Sequence, residues 1–367
     1  MQELVKNELV RDKSSVWVLK GHERFDYSDG PESEKYLEGA FRTCGDLSSS
    51  SSELEAFIKD WPSEYHLSVK RAQLFAGFDF NPNQRVLEVG AGCGAITRYL
   101  GETFSEVVSV EGSLSRARLA RLRTRDLESV DVLCAPFQKI EFSQEFDLII
   151  CVGVYEYSSS FVTADDPYEA VLDYFARMLS PDGTLVIAIE NQFGLKYLNG
   201  AREDHTGTPY DGLKGYVSQI RNVQTFGKCE LEGKLARRFS EVKTFYPYPD
   251  YKLPTCIIAE EFLSNEEAGE LVSQISSRDY TGREKFNWDE TLVSLELSRN
   301  RVLPFFANSF LVFASKQATE KFKFEHCAYM QSSERDPQFR TATRIYQESS
   351  GQRKVAKRLL SGRTETS

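Results

Sequence analysis

Several common features are scarce or missing in this chain. No two cysteines stand at CxxC spacing and none of the four histidines completes a zinc-finger pattern, so the seven cysteines (44, 93, 134, 151, 229, 256, 327) build neither a zinc cage nor a regular disulfide framework. They read as free, mostly buried thiols in a reducing compartment. No apolar run approaches the roughly 20 residues a bilayer requires, and no charged-then-apolar leader opens the sequence. The expectation is a soluble, cytoplasmic protein with no transmembrane segment. Positive charge is short too: 45 Lys and Arg against 55 Asp and Glu leave a net charge of −10, which speaks against nucleic acid as a partner. One local exception, "RARLARLRTR" from Arg116 to Arg125, has Leu114, Ala117, Leu119 and Leu122 at helical spacing and reads as a helix with a solvated basic face.

What is present is ordinary globular material, 41% hydrophobic and 27% charged. The first sixty residues are polar and broken by "DYSDGPESE" and by a serine run at 48–52, which reads as a flexible connection, so 1–60 is taken as an N-terminal extension. From Trp61 the pattern alternates: "RVLEVG", "EVVSVEG", "DVLCAP", "FDLIICVGV" and "GTLVIAIEN" as strands, with "AITRYLGETF", "LSRARLARLRTRD" and "DPYEAVLDYFARMLS" as helices between them. Continuous apolar strands alternating with amphipathic helices predict a doubly wound, Rossmann-like α/β fold with a mostly parallel sheet. "EVKTFYPY" and "TCIIAEEF" are close enough to pair antiparallel at the sheet edge. The divisions expected are a main domain at 61–263, a helical addition with a closing strand "SFLVFAS" at 264–315, and a C-terminal hairpin segment at 316–367.

The sharpest motif is "VLEVGAGCGAITRYL": a strand carrying an acid, a glycine-rich turn, and a helix start. Glycines let the backbone turn sharply and a ligand approach, and the helix N-terminus offers free N–H groups. The turn reads Gly90, Gly92, Gly94 rather than GxGxxG, with the Glu88 carboxylate near the place a pyrophosphate would occupy. That carboxylate disfavours a dinucleotide and suits an ammonium group. Glu111 ends the next strand, the position that bonds ribose hydroxyls in such folds. From about Tyr65 to Ile258 the chain resembles the class I S-adenosylmethionine-dependent methyltransferases. The resemblance implies that Glu88 and the glycine turn hold the methionine half of the cofactor and that Glu111 holds the ribose. It assigns Ala135, Pro136 and Phe137, with Val152 and Tyr155, to the adenine and sulfonium side.

In a parallel sheet the ligand sits at the carboxyl ends of the strands, so the segments that follow those ends line it. "GVYEYSS" follows the fourth strand and "IENQFGLKYLNGAREDHTG" the fifth. Within the latter, Glu203, Asp204 and His205 stand side by side. His205 is a candidate base for an acceptor hydroxyl, with Asp204 or Glu203 orienting its ring. The alternative is a turn whose Asp and Thr bond their own backbone around a solvated histidine. No metal is expected, because consecutive side chains point in different directions.

The phrases "EYHLSVKR", "IENQFGLKYLNGAREDHTG" and "FYPYPDYKLPTCIIAEEF" resemble a bacterial methyltransferase subfamily found as modules of surface-polysaccharide (O-antigen and capsule) assembly proteins, often fused to glycosyltransferases or kinases. That resemblance implies a saccharide or glycan acceptor, methylated on a sugar hydroxyl or a terminal phosphate, and glycosyltransferase or kinase modules as partners; the alternatives are methylation of a small molecule or protein, or a non-catalytic cofactor-binding module that recruits glycosyltransferases. It places Tyr65, His66 and Arg71 as a lid over the cofactor. Tyr157, Asn191, Lys196, Tyr197, Tyr248 and Tyr251 fall to the acceptor side, although the tyrosines of "FYPYPDYK" serve equally well as a proline-stiffened strand packed on a core. Lys228 stands where the family carries an arginine after "TF". "RTATRIYQESSGQRKVAKRLL" resembles the first hairpin of a protein-kinase fold with Lys357 in the lysine's place, and no kinase activity is expected of it.

Overall fold

The computed structural model describes residues 1–21, 30–217, 222–280, 282, 285–318 and 321–360. One sheet of 13 strands runs through it. In chain order the strands are β1 (Leu9–Arg11), β2 (Trp17–Leu19), β3 (Asp79–Phe80), β4 (Arg85–Val89), β5 (Glu106–Glu111), β6 (Val130–Cys134), β7 (Phe146–Val152), β8 (Leu179–Glu190), β9 (Glu241–Tyr248) and β10 (Cys256–Ala259). They are followed by β11 (Ser309–Ser315), β12 (Phe322–Lys323), β13 (Ala328–Gln331), β14 (Thr341–Gln347) and β15 (Arg353–Leu359). Spatially the large sheet runs β1-β2-β6-β5-β4-β7-β8-β11-β9-β10-β13-β14-β15, while β3 and β12 pair separately. From β2 to β8 every neighbour is parallel, and from β11 to β15 every neighbour is antiparallel. The central strands β2 to β8 are the doubly wound parallel sheet that the sequence pattern predicts, and the antiparallel part is larger than the edge strand expected.

The parallel strands are apolar because both their faces are covered. Leu87, Val89, Ile149 and Ile187 pack into one core layer and Val86, Leu148, Ile150 and Val186 into the other. The second layer ends in a phenylalanine cluster, with Phe78 stacked 4.8 Å from Phe313 and edge-on to Phe245 at 4.9 Å. Among the described residues no helix is long and apolar enough to cross a membrane.

Four expectations about organisation change. β9 and β10 do pair antiparallel, but β11 inserts between β8 and β9, so "SFLVFAS" lies in the middle of the sheet. All seven of its residues are buried, which is what a central strand with neighbours on both sides requires. The sheet is likewise unbroken at 60/61 and 315/316: β2 adds to β6 and the β14–β15 hairpin adds through β13. The serine run is ordered, with Ser51 capping the turn Ser52–Glu55 through the Leu54 N–H and Ser49 donating to Glu102 at 2.5 Å. Helix Pro31–Thr43 buries Leu37 and Phe41 in a satellite core with Leu54, Leu67, Cys93 and Leu119. Nor is helix Leu114–Arg123 a solvated basic face. Arg123 is buried and donates to the His66 carbonyl, Arg116 is buried, and Arg118 pairs with Asp12 at 2.8 Å. These arginines tie the N-terminal segment and the helix Trp61–Leu67 to the sheet.

Candidate active site

The carboxyl ends of β4, β5, β6 and β7 open into a cavity of about 610 Å³. β4 delivers the glycine turn: Gly90 and Ala91 donate their N–H groups to the Val110 carbonyl at 2.8 and 3.0 Å, which locks the turn onto β5. Gly90 has φ +85, and a Cβ there would lie 2.3 Å from Cγ2 of Val154, so only glycine fits. Glu111 accepts from the N–H of Gly92 at 2.7 Å and of Ser113 at 2.9 Å, one on each oxygen, leaving lone pairs over. Glu88 is buried at the cavity floor with a hydrogen bond from Thr97 Oγ1 at 2.6 Å. Burial pushes its carboxyl up to about 7, against that hydrogen bond. A ligand ammonium is the partner such a carboxyl lacks.

The far wall comes from Ala135, Pro136, Phe137 and Val152, and the roof from Trp61, Tyr65, His66 and Arg71. The Arg71 guanidinium lies 4.3 Å from the Tyr65 ring centre and donates to the Lys252 carbonyl at 2.7 Å, which fixes the roof to the segment after β9.

At the other end of the cavity is a buried charge cluster. His205 is held by Glu203, whose Oε1 lies 2.8 Å from Nδ1 and whose Oε2 accepts the His205 backbone N–H at 2.8 Å. Its Nε2 faces Oε1 of Glu156 and Oε2 of Glu190, each at 3.8 Å, too long for a hydrogen bond. Burial opposes a charge on the imidazole, but Glu190, Glu156 and Glu203 outweigh it and hold the His205 pKa well above its ordinary value. Glu156, behind Tyr157 at the end of β7, has no hydrogen bond to either oxygen, and burial raises its pKa. Glu190, the last residue of β8, accepts from the Tyr251 hydroxyl at 3.3 Å and from Lys252. Asp204 pairs with Lys196 at 2.9 Å and with Lys252, and those two ammonium groups overcome burial to hold its pKa below the carboxylate range.

The cavity thus gathers Glu88, Gly90, Gly92, Glu111, Ala135, Pro136, Phe137, Val152, Tyr65, Arg71, Tyr157, Asp204, His205 and Tyr251 from among the residues singled out by sequence. Others lie elsewhere. Gly94 does not line it; a Cβ there would fall 2.7 Å from the Ala120 Cα, so this glycine lets helix Ala95–Thr103 cross helix Leu114–Arg123 closely. Tyr155 is buried against Tyr168 and Phe226, and Tyr248 is a core residue of β9. Asn191 spends its amide on the carbonyls of Phe305 and Ala307. Lys196 and Tyr197 are buried behind the cavity, Lys196 as the partner of Asp204. Lys228 is occupied by Glu232 at 2.6 Å and Glu260 at 2.9 Å.

The roles within the histidine cluster also change. Glu203, not Asp204, orients the imidazole, because the two side chains leave the turn in opposite directions. The three carboxylates around His205 favour its protonated form, and in that form Nε2 has no lone pair to take a proton, which weighs against the base role. Sequence reading missed Glu156 and Glu190, though both sit in stretches that follow strand ends, where an acid facing the ligand is a usable signal. Lys252 carries no such signal, since it reaches the cluster only through the folding of the chain after β9.

Residues 87–187 match the family described as "Methyltransferase domain". These residues form a methyltransferase domain. The match spans β4 to β8, the strands whose ends build the cavity. Among curated relatives, the cyclopropane-fatty-acyl-phospholipid synthase of Escherichia coli (strain K12) is 30% identical over 107 residues, 29% of this chain and 26% of that protein. The chain therefore spans about a quarter of that relative's length. A malonyl-[acyl-carrier protein] O-methyltransferase of Bacillus anthracis is 22% identical over 219 residues, 56% of this chain and 78% of its own. Among solved structures, an N-methyltransferase from Bradyrhizobium japonicum in complex with S-adenosyl-L-homocysteine covers 60% of this chain and 93% of its own at 16% identity, with a TM-score of 0.36.

Proposed function

We propose that the protein is an S-adenosylmethionine-dependent O-methyltransferase whose acceptor is a sugar hydroxyl in bacterial surface-polysaccharide assembly. The residues present suit the methyl donor: the Glu88 carboxyl awaits an ammonium, Glu111 retains lone pairs for ribose hydroxyls, and a Cβ on Gly92 would intrude to within 3.0 Å of Arg116 in the cavity wall. When bound, S-adenosylmethionine supplies an electrophilic methyl group, its carbon–sulfur bond breaking with the electron pair left on sulfur.

The observation that carries the acceptor assignment is Glu156. It is buried at the opposite end of the same cavity with both carboxylate oxygens free of hydrogen bonds. A hydroxyl is the acceptor it suits, because it donates a hydrogen bond to that carboxylate and passes its proton there as the oxygen is alkylated. An anionic acceptor is disfavoured: Glu156, Glu190, Glu203 and Asp204 outnumber His205, Lys196 and Lys252 at this end of the site. Trp61, Tyr157 and Tyr251 line the same cavity, and aromatic rings are the side chains on which a pyranose packs. The polysaccharide context is supported by the long phrases of the sequence, above all "IENQFGLKYLNGAREDHTG", which contains Glu190, Glu203, Asp204 and His205. Glycosyltransferase or kinase modules of the same assembly system are the corresponding partners.

The test is transfer of labelled methyl from S-adenosylmethionine to nucleotide sugars, phosphosugars and short rhamnose or mannose oligosaccharides, with wild type beside Glu156→Gln. The expected result is label as a methyl ether, lost in the variant while cofactor affinity stays within about twofold. Label recovered as a phosphate methyl ester, or none in any saccharide, overturns the hydroxyl assignment.

A further inference from the structure

We propose that Glu156, Glu190 and His205 bind one divalent cation at the acceptor end of the cavity. The ligand atoms of these three buried residues all lie within 4.8 Å of one another, and His205 Nε2 stands 3.8 Å from an oxygen of each glutamate. Three points so spaced lie on a circle of radius roughly 2.0–2.5 Å, the bond length that divalent ions make to nitrogen and oxygen ligands. No movement of the backbone is needed to seat an ion there.

Two independent observations point to a ligand rather than to a closed ion-pair network. Among the described residues both oxygens of Glu156 and Oε2 of Glu190 are buried without a hydrogen-bond partner, and Glu156 Oε1 and Glu190 Oε2 both face His205 Nε2. Buried carboxylate oxygens left in this way are costly unless something positive comes to them. The second observation is behind the histidine. Glu203 Oε1, 2.8 Å from Nδ1, accepts the Nδ1–H, so that when a cation displaces the proton on Nε2 the lone pair left there faces the two glutamates. A carboxylate behind the imidazole is the usual companion of a metal-bound histidine. One nitrogen with two carboxylates suits Mn²⁺, Mg²⁺ or Zn²⁺ and leaves coordination positions facing the cavity. The consequence for catalysis rests on the O-methyltransferase reading. There the cation binds the acceptor's hydroxyl and makes it more acidic, while the second oxygen of Glu156 remains to receive the proton.

The experiment titrates the chelator-treated full chain with Mn²⁺ alone, following the free ion by electron paramagnetic resonance, and measures S-adenosylmethionine binding separately by calorimetry. One tight ion per chain is expected, weakened at least about tenfold by Glu156→Gln and by Glu190→Gln and unchanged by Glu141→Gln at an exposed position. Glu156→Gln is the cleaner variant, since it removes no hydrogen bond, and circular dichroism checks that each variant is folded. No binding up to about 1 mM Mn²⁺, or equal binding by wild type and both glutamine variants, overturns the site. Loss of cofactor binding with Mn²⁺ binding intact would overturn the methyl-donor reading and leave the cation site standing.

Discussion

Lowering the pH should weaken S-adenosylmethionine binding through a single residue, Glu88. Its carboxyl is buried beneath the glycine turn, has one side-chain donor in Thr97, and is pushed up to about 7 by burial. The cofactor's ammonium needs the ionised form, so a proton and the cofactor compete for Glu88. The sign follows from the raised pKa: the free site is mostly protonated below 7 and mostly charged above it, so affinity must fall as pH falls through 7. With binding confined to the ionised form, the apparent dissociation constant scales as one plus the ratio of proton concentration to acid constant. Between pH 7.5 and pH 6.0 this is about an eightfold loss, or about 1.2 kcal/mol, over a range in which an α-ammonium stays largely protonated. Calorimetric titration at half-unit steps measures it. Glu88→Gln supplies the control, because it should bind more weakly than wild type at pH 7.5 and show a nearly flat profile. A wild-type profile that is flat from 7.5 to 6.0, or one that Glu88→Gln reproduces, would refute the assignment of Glu88 to the ammonium.

Two further predictions concern stability. Lys252→Met removes the cation shared by Glu190 and Asp204 and leaves buried negative charge uncompensated, so unfolding in urea should show a loss of about 3–5 kcal/mol; a loss under 1 kcal/mol would mean that Lys196 and His205 suffice. Gly94→Ala forces a side chain to φ +86 and a Cβ to 2.7 Å from the Ala120 Cα, costing at least about 2 kcal/mol, measured the same way. Cofactor affinity of the folded Gly94→Ala protein should fall less than that of Gly92→Ala, whose residue lines the cavity.

How much of the site was legible depended on sequence distance. Glu88, the glycine turn and Glu111 lie within 24 residues on two adjacent strands, and their pattern alone pointed to the end of the sheet where the cavity opens. The stretch "REDHTG" was recognisable as chemistry, but not the direction of its side chains. Which of Glu203 and Asp204 meets the imidazole depends on one turn, and whether His205 is a base or a cation depends on Glu156 and Glu190, 49 and 15 residues away. The tyrosines of "FYPYPDYK" split the same way, Tyr248 into the core and Tyr251 to the cavity wall, because strand β9 ends between them.

The sequence by itself determined the alternation of apolar strands and amphipathic helices, and with it a doubly wound sheet and an open cavity at the strand ends, because these follow from local periodicity and from the geometry of one glycine-rich turn. Only the tertiary structure decided that β11 enters between β8 and β9, that the arginines of Leu114–Arg123 turn inward, and that four acids and three bases from distant segments close on one buried point. Register between distant strands and the charge state of a buried group are set by what the folded chain brings within a few ångströms, and no short stretch of sequence contains that information.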